Sequence, residues 1–347
     1  MDELDALERL VRRYSPSLRE TPAVWEFVRL ARSIGYSARL DAQGNGIAVR
    51  GRGRPRVMFL GHIDTVDGEL PVRRTRGRLY GRGAVDAKGP LVAALLAGRG
   101  DPGPGEYRVV AAVGEETDSR GARHLIHGRG PDYLIVGEPS GWDGVTIGYK
   151  GEVELTAKFR AKRSHFSSPD PTASDLALAW VGALRAFVAG RTGESPFRSL
   201  TMKVVALESR RTGGDEVARV TVDLRLPPGL STRALLRELP TAPTRPSLEV
   251  RLRVEPIELE RSNPVVGALV AGIRAVGARP MLWRKGGTSD LNLAVPAWRV
   301  PAAAYGPGNA RLDHTDREVL SAAELRRAIR VLERALTQLR AVPVTPR

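Results

Sequence analysis

Two kinds of hydrophobic pattern alternate along the chain as far as residue 140. Apolar residues three or four positions apart, such as Leu7, Leu10 and Val11, predict amphipathic helices over residues 5–14 and 22–34. Short continuous apolar runs predict buried strands, and one longer run predicts a buried helix among them. Because strands and helices alternate, the pattern predicts an α/β fold whose sheet is mainly parallel. The predicted strands are 46–50, 56–60, 107–113 and 133–136, and the buried helix is 90–97.

The pattern changes near Lys150, after which polar and apolar residues alternate over 151–160. Such alternation predicts a strand with one exposed face. A helix, two strands, a second helix and a final strand follow, which predicts a small α+β unit. This unit interrupts the larger domain, because covering helices are predicted again beyond it. The predicted larger domain is 1–150 with 256–347, and the insertion is 151–255.

The composition is ordinary for a globular chain, and it limits which residues could bind a metal ion. Hydrophobic residues make up 42% and charged residues 27% of the 347 positions. There is no apolar run of about 18 residues, so no membrane span is predicted. The acidic N-terminus lacks the apolar core of a signal peptide, and we therefore expect a cytoplasmic protein. Since the chain has no cysteine, a bound zinc ion would need histidine and carboxylate ligands.

The net charge is strongly positive, because 54 lysines and arginines outnumber 39 aspartates and glutamates to give a formal charge of +15. GC-rich codon usage, a thermophile's charged surface, or an acidic partner or substrate would each explain it. A nucleic-acid partner is not expected, because the basic residues are dispersed and are not interleaved with aromatic residues that stack on bases. Charge alone leaves the first three explanations open.

Residue types that bind metals lie where predicted strands end or meet helices. His62 and Asp64 follow one predicted strand, and Glu115 and Glu116 follow another. Asp86 lies just before the predicted buried helix. In α/β sheets, sites form at the carboxyl ends of the strands. A two-metal hydrolytic site requires imidazoles, a carboxylate that bridges two ions and a free carboxylate for the proton of the attacking water.

Taken in order, the motifs resemble those of the di-zinc amidohydrolase family of acetylornithine deacetylase, succinyl-diaminopimelate desuccinylase and carboxypeptidase G. The resemblance implies an α/β, zinc-peptidase-like catalytic domain with a mixed, mainly parallel sheet. It also implies that a small α+β, ferredoxin-like lid and dimerisation domain interrupts that domain. The matching motifs are Gly-His-Ile-Asp-Thr at 61–65, Tyr-Gly-Arg-Gly-Ala-Val-Asp-Ala-Lys-Gly at 80–89, Glu-Glu at 115–116, Val-Gly-Glu-Pro-Ser at 136–140 and Asp-His-Thr-Asp at 313–316.

The resemblance implies two divalent metal ions, zinc or alternatively cobalt, with Asp86 as the bridging ligand. One ion would take His62 and Glu138 as its other ligands. The second ion would take Glu116 and His314. This set leaves room for a water molecule between the ions, which catalysis requires.

Further residues receive roles from the same resemblance. Glu115 would be the general base that passes a proton from water to the leaving amine. Asp64 would orient a metal-binding imidazole without binding metal. His165, in Ser-His-Phe-Ser-Ser-Pro, would stabilise the oxyanion in a neighbouring subunit, so at least a homodimer is expected. The matching substrate-binding candidates are Arg225, Gly287 and Thr288.

Within the family, the chain resembles the hydrolases of the carrier-protein pathway of lysine and ornithine biosynthesis, notably in Ile-Gly-Tyr-Lys-Gly-Glu at 147–152. That implies release of lysine, ornithine or both from the γ-carboxyl of the C-terminal glutamate of a small acidic amino-group carrier protein. A basic surface would attract such a carrier. The open alternatives are an acetylornithine or succinyl-diaminopimelate deacylase, a small-peptide carboxypeptidase, and a relative that has lost catalysis but binds a partner.

Overall fold

The computed structural model describes residues 2–100, 103–165, 167–241 and 245–341. The chain divides into two compact units. The larger unit comprises Met1–Ile147, Leu259–Trp283 and Ser289–Arg347, and the smaller comprises Gly148–Glu258 and Arg284–Thr288. The short segment Arg284–Thr288 belongs to the smaller unit although it lies outside the predicted insertion.

Several helices begin at a residue whose side chain accepts a hydrogen bond from a backbone N–H group of the first turn. Thr172 forms a reciprocal pair with Asp175, and Ser289 accepts from the N–H of Leu291. Among the described residues, no helix is both long and apolar enough to cross a membrane. The helices are Glu3–Val11 (α1), Thr21–Ser33 (α2), Lys88–Ala97 (α3), Arg120–Leu125 (α4), Ala173–Ala189 (α5), Thr232–Glu238 (α6), Pro264–Ala275 (α7), Asp290–Trp298 (α8) and Ala322–Ala341 (α9).

The strands include every predicted one and several short ones that the hydrophobic pattern does not indicate. They are Ser37–Leu40 (β1), Gly46–Arg52 (β2), Arg56–His62 (β3), Arg73–Thr75 (β4), Arg78–Tyr80 (β5), Gly105–Ala112 (β6), Tyr133–Gly137 (β7), Gly144–Tyr149 (β8), Gly151–Lys162 (β9), Thr201–Thr212 (β10), Asp215–Leu226 (β11), Ser247–Val254 (β12), Ile257–Glu258 (β13), Met281–Lys285 (β14), Ala302–Ala304 (β15) and Val319–Ser321 (β16).

The sheet of the larger unit has the order β1-β2-β6-β3-β7-β15-β8. Its adjacent central strands β6, β3, β7 and β15 are parallel, which confirms the predicted mixed, mainly parallel sheet. Antiparallel strands extend it on both sides. The parallel strands all end at one edge, and that edge carries the candidate ligands.

Helix α3 lies against the centre of this sheet, and all of its residues are buried. A Cβ atom at Gly61 would lie 3.0 Å from Leu91 Cδ2, so the glycine allows the helix to approach the end of β3 closely. The close packing fixes the backbone immediately before His62. A second sheet of β16, β5 and β4 brings residues 78–80 beside residues 319–321.

The smaller unit is an antiparallel sheet in the order β10-β11-β9-β12 with α5 and α6 on one face. Its strand–helix–strand–strand–helix–strand sequence confirms the predicted ferredoxin-like α+β arrangement. Trp180 of α5 is fully buried in its core, 5.9 Å from the ring of Phe159.

We predict that Trp180→Ala lowers the free energy of unfolding of the smaller unit by about 3–5 kcal/mol, because it leaves a large cavity. The substitution also removes the hydrogen bond from Nε1 to the carbonyl of Pro240, 2.9 Å away. Leu178→Ala is the matched control on the same helix, since Leu178 is 57% exposed. Guanidinium denaturation followed by circular dichroism measures both. Equal losses would contradict the described packing of α5.

Candidate metal centre

Neighbouring parallel strands place an imidazole and a carboxylate side by side. The register of β3 and β7 pairs Gly61 with Gly137, so His62, the last residue of β3, lies beside Glu138, which directly follows β7. Both side chains are buried. On the other side of β3, the register pairs His62 with Ala112 at the end of β6, shortly before Glu115.

Asp86 lies between two imidazoles. Its Oδ1 is 3.0 Å from Nε2 of His62, and its Oδ2 is 3.2 Å from Nε2 of His314. The same Nε2 of His314 lies 3.1 Å from Oε1 of Glu116. His314 is 51% exposed and has φ near +60°, whereas His62 is buried. One carboxylate therefore faces two separate imidazole nitrogens, as a bridging ligand must.

The candidate ligand atoms include two overlapping groups, and within each group the atoms all lie within 4.8 Å of one another. One contains His62, Glu115 and Glu116, and the other contains Asp86, Glu116 and His314. Imidazole and carboxylate donors suit zinc and similar divalent ions, so the arrangement fits two metal ions. In the described part of the chain, Glu138 belongs to neither group, although it is near enough for its charge to raise the pKa of Glu115.

Asp64 organises more of the site than its motif indicates. Its Oδ1 and Oδ2 accept hydrogen bonds from the backbone N–H groups of Glu115 and Glu116, each at 3.1 Å. Nδ1 of His62 lies 3.5 Å from its carboxylate and 3.0 Å from its backbone carbonyl oxygen. The hydroxyl of Ser17 also donates to it at 2.7 Å. The fully buried carboxylate thus fixes the backbone of both glutamates beside the imidazole.

The electrostatics of the metal-free site favour bound cations. Burial raises the pKa of Glu115 well above its ordinary value, and the neighbouring Glu138 and Asp290 add to the effect. Burial alone would lower the pKa of His62, but Asp64 and Asp86 raise it well above its ordinary value. Divalent ions would replace the protons that such a carboxylate-rich site otherwise binds.

The other candidates lie in the smaller unit, and each has local partners. Arg225 donates to both oxygens of Asp223, and its Nη1 is 2.8 Å from Oε2 of Glu152. Thr288 donates to the same oxygen of Glu152 at 3.0 Å. His165 is exposed and its Nδ1 lies 2.7 Å from the hydroxyl of Ser167. A Cβ atom at Gly287 would meet nothing within 4 Å.

Two buried acids near the site were not singled out from the sequence. Asp290 begins α8, and its Oδ1 has no hydrogen-bond partner among the described residues. Burial raises the pKa of Asp290 to about 7. Glu318 accepts hydrogen bonds from the segment that carries Asp86. Asp290 follows the candidate Thr288 by two positions, but only the fold shows that it is buried.

A family model describing peptidase family M20/M25/M40 matches residues 58–338. The match includes all of the candidate ligands and both flanks of the smaller unit. The chain belongs to this family. It is therefore a hydrolase of amide or peptide bonds, and the resemblance inferred from the motifs is confirmed. Because the family consists of metallopeptidases, divalent metal ions belong to its chemistry.

Relatives with similar sequences span nearly the whole chain. A protein of Thermococcus kodakarensis, whose name gives LysW-lysine and LysW-ornithine as substrates, is 39% identical over 98% of this chain and 92% of its own length. The LysW-lysine hydrolase of Deinococcus radiodurans is 38% identical over 93% of this chain and 94% of its own length. Aminopeptidase PepT of Bacillus cereus shares the fold, with a TM-score of 0.79 at 16% identity over 97% of this chain and 98% of that one.

We predict that His314 stabilises the metal-free protein at low pH and not at high pH. Hydrogen bonds to Asp86 and Glu116 raise the pKa of His314 from 6.5 to about 10, so the folded chain binds its proton more tightly than the unfolded chain. The contribution is complete below pH 6.5 and is lost as pH rises through about 10. The melting temperature should fall more steeply over this range for the metal-free wild type than for His314→Gln. Parallel curves would contradict the assignment.

Proposed function

We propose that the chain is a di-metal hydrolase that releases lysine, ornithine or both from the γ-carboxyl of a carrier protein's C-terminal glutamate. The observation that carries the chemistry is the pair of imidazoles on the two oxygens of Asp86. The relatives' names support the substrate, because they give LysW-bound lysine and ornithine. The proposed role is in cytoplasmic lysine and arginine biosynthesis.

The proposed metals are zinc ions, with cobalt as the alternative. Asp86 would bridge them, His62 and Glu138 would complete one set of protein ligands, and Glu116 and His314 would complete the other. When bound, the ions lower the pKa of a water molecule and polarise the amide carbonyl. The short distances from Asp86 to both imidazoles support the bridging role.

Glu115 is the proposed general base. It takes the proton of the attacking water and passes it to the leaving amine. Two features support this role: Asp64 holds its backbone N–H, and burial raises its pKa, which brings the carboxylate closer to the basicity that proton transfer at neutral pH needs.

Residues of the smaller unit are proposed to bind the substrate. His165 would donate to the oxyanion in a neighbouring subunit of a homodimer or larger oligomer, and its exposure is consistent with that. Arg225, Gly287 and Thr288 would hold a substrate carboxylate. Because Arg225 and Thr288 both contact Glu152, that carboxylate would have to displace the side chain of Glu152.

A cationic patch on the smaller unit supports an acidic protein partner. The patch comprises Lys158, Arg160, Arg210 and Arg219, on the sheet face opposite α5 and α6. The register places Lys158 opposite Arg219, and Val217 between Arg160 and Arg210. The nearby guanidinium of Arg160, with those of Arg219 and Arg210, lowers the pKa of Lys158.

One acid adjoins the patch, since the register of β10 and β11 places Glu208 opposite Arg219. Among the described residues, none of its four members forms an ion pair within 4.0 Å. Lys158 and Arg160 also lie on the strand that leads directly to His165. An acidic carrier protein attracted to this surface would dock next to the segment proposed to complete catalysis.

We predict that Glu115→Gln lowers kcat by about 10²–10⁴-fold while the protein still binds two metal ions, since a neutral amide cannot accept the proton. Glu116→Gln is the matched comparison on the adjacent residue. It should lower metal affinity, because Glu116 faces His314. Metal content by mass spectrometry and steady-state kinetics separate the two effects. A kcat of the Glu115→Gln variant equal to that of the wild type would exclude Glu115 as the base.

We predict that Lys158→Glu with Arg219→Glu lowers kcat/KM for a carrier-lysine conjugate by roughly 10-fold or more at low salt. Hydrolysis of a small acyl-lysine should be unaffected. Arg237→Glu is the control, since Arg237 is exposed on α6 on the other face of the sheet. High salt should reduce the difference between variant and wild type. Equal losses on both substrates would contradict carrier docking at this patch.

The substrate assignment is tested by amine release from carrier-linked lysine and ornithine, compared with acetylated and succinylated amino acids and small peptides. Fast, salt-sensitive cleavage of the carrier conjugates supports the proposal. A preference for free acyl-amino acids would make the protein a deacylase, and a preference for peptides would make it a carboxypeptidase. Either result would leave the di-metal chemistry in place.

A further inference from the structure

Two ligands of the candidate metal centre lie on irregular backbone. Asp86 is in the turn between β5 and α3, and His314 is in the segment between β15 and β16. Strand pairing does not fix either residue, in contrast to His62 at the end of β3. Other contacts must therefore hold the two segments at the separation that a shared metal ion requires.

The first such contact comes from the segment of Asp86. Arg82 is 4% exposed, and its Nη1 donates to the backbone carbonyl of Thr315 at 3.0 Å. Thr315 is the residue directly after His314. The Nε of Arg82 also donates to the carbonyl of Gly68 at 2.9 Å, so the guanidinium is held from a second side.

The second contact comes from the segment of His314. Glu318, which is 1% exposed, lies four residues after His314. Its Oε2 accepts from the backbone N–H groups of Gly83 and Val85 at 2.9 and 3.3 Å, the latter directly before Asp86. Its Oε1 is 2.8 Å from Nη1 of Arg82.

We propose that Arg82 and Glu318 are a pair of positioning residues that set the distance between Asp86 and His314. Each segment contributes one buried charged side chain that binds the backbone of the other segment. The inference rests on the proposed function, because it assigns the pair to one of the two proposed metal sites. Neither residue belongs to the proposed metal ligands or to the proposed substrate-binding residues.

The energetics make the pair sensitive to the loss of either partner. A buried charge without its partner costs far more than the intact pair contributes. Glu318 also lies close to the buried Lys88, so its loss leaves that positive charge less well compensated. Residues that orient metal ligands typically change metal affinity by about 10–100-fold when they are replaced.

The test is a titration of the metal-free full-length protein with Co²⁺, followed by calorimetry and by the visible absorption of bound cobalt. Glu318→Gln should weaken the binding of the ion that has His314 as a proposed ligand by about 10–100-fold, and the binding of the other ion less. Arg82→Lys keeps the positive charge but loses the several N–H donors of the guanidinium. It should weaken the same binding event less than Glu318→Gln does. Glu26→Gln in α2 is the matched control, because Glu26 is a buried carboxylate paired with Arg9 of α1 and Arg29 of α2.

A larger loss of affinity in one binding event than in the other in both variants, with Glu26→Gln like the wild type, supports the positioning role. Unchanged binding in both variants overturns it, as does an equal loss in Glu26→Gln, since that would report general destabilisation. Melting temperatures of the metal-free proteins separate a folding defect from a change at the site. A wild-type protein that binds fewer than two ions would instead overturn the proposed function, and the positioning role with it.

Discussion

The carboxylate of Asp86 has one oxygen 3.0 Å from the imidazole of His62 and the other 3.2 Å from that of His314. This contact forms only because three backbone segments of different kinds bring their side chains together. A parallel strand ends at His62, a turn carries Asp86, and an exposed segment with positive φ carries His314. The packing of α3 against Gly61 fixes the first of these. The fold thus places both imidazoles against the single carboxylate of Asp86.

Buried acids hold this arrangement mainly through backbone amides. Asp64 accepts from the N–H groups of Glu115 and Glu116, and Glu318 accepts from those of Gly83 and Val85. Such acceptors satisfy groups that would otherwise be unpaired in the interior. They also concentrate negative charge, which raises the affinity of the site for protons or, in their place, divalent cations. The same contacts therefore support both the local fold and the proposed metal chemistry.

The hydrophobic period predicts the long helices and strands, and the order of the motifs predicts the candidate site residues. Long periodic segments and strand-end residues such as His62 and Glu115 follow from local pattern. Helix α8 was missed because it is short and contains Pro296, and the three-residue strands offer no period to detect. The contacts of Asp64 with two backbone amides depend on residues about fifty positions apart. For the same reason, the motif around Arg225 did not reveal Glu152 as its partner.

The proposed metal chemistry depends on Asp86 joining two metal ions in one site. The decisive measurement is the number of zinc ions per chain after equilibrium dialysis, for the wild type and for Asp86→Ala. We expect two ions in the wild type and weak or no binding of both in the variant, because the shared ligand is gone. A variant that retains both ions, or a wild type that binds a single ion, would contradict this role of Asp86.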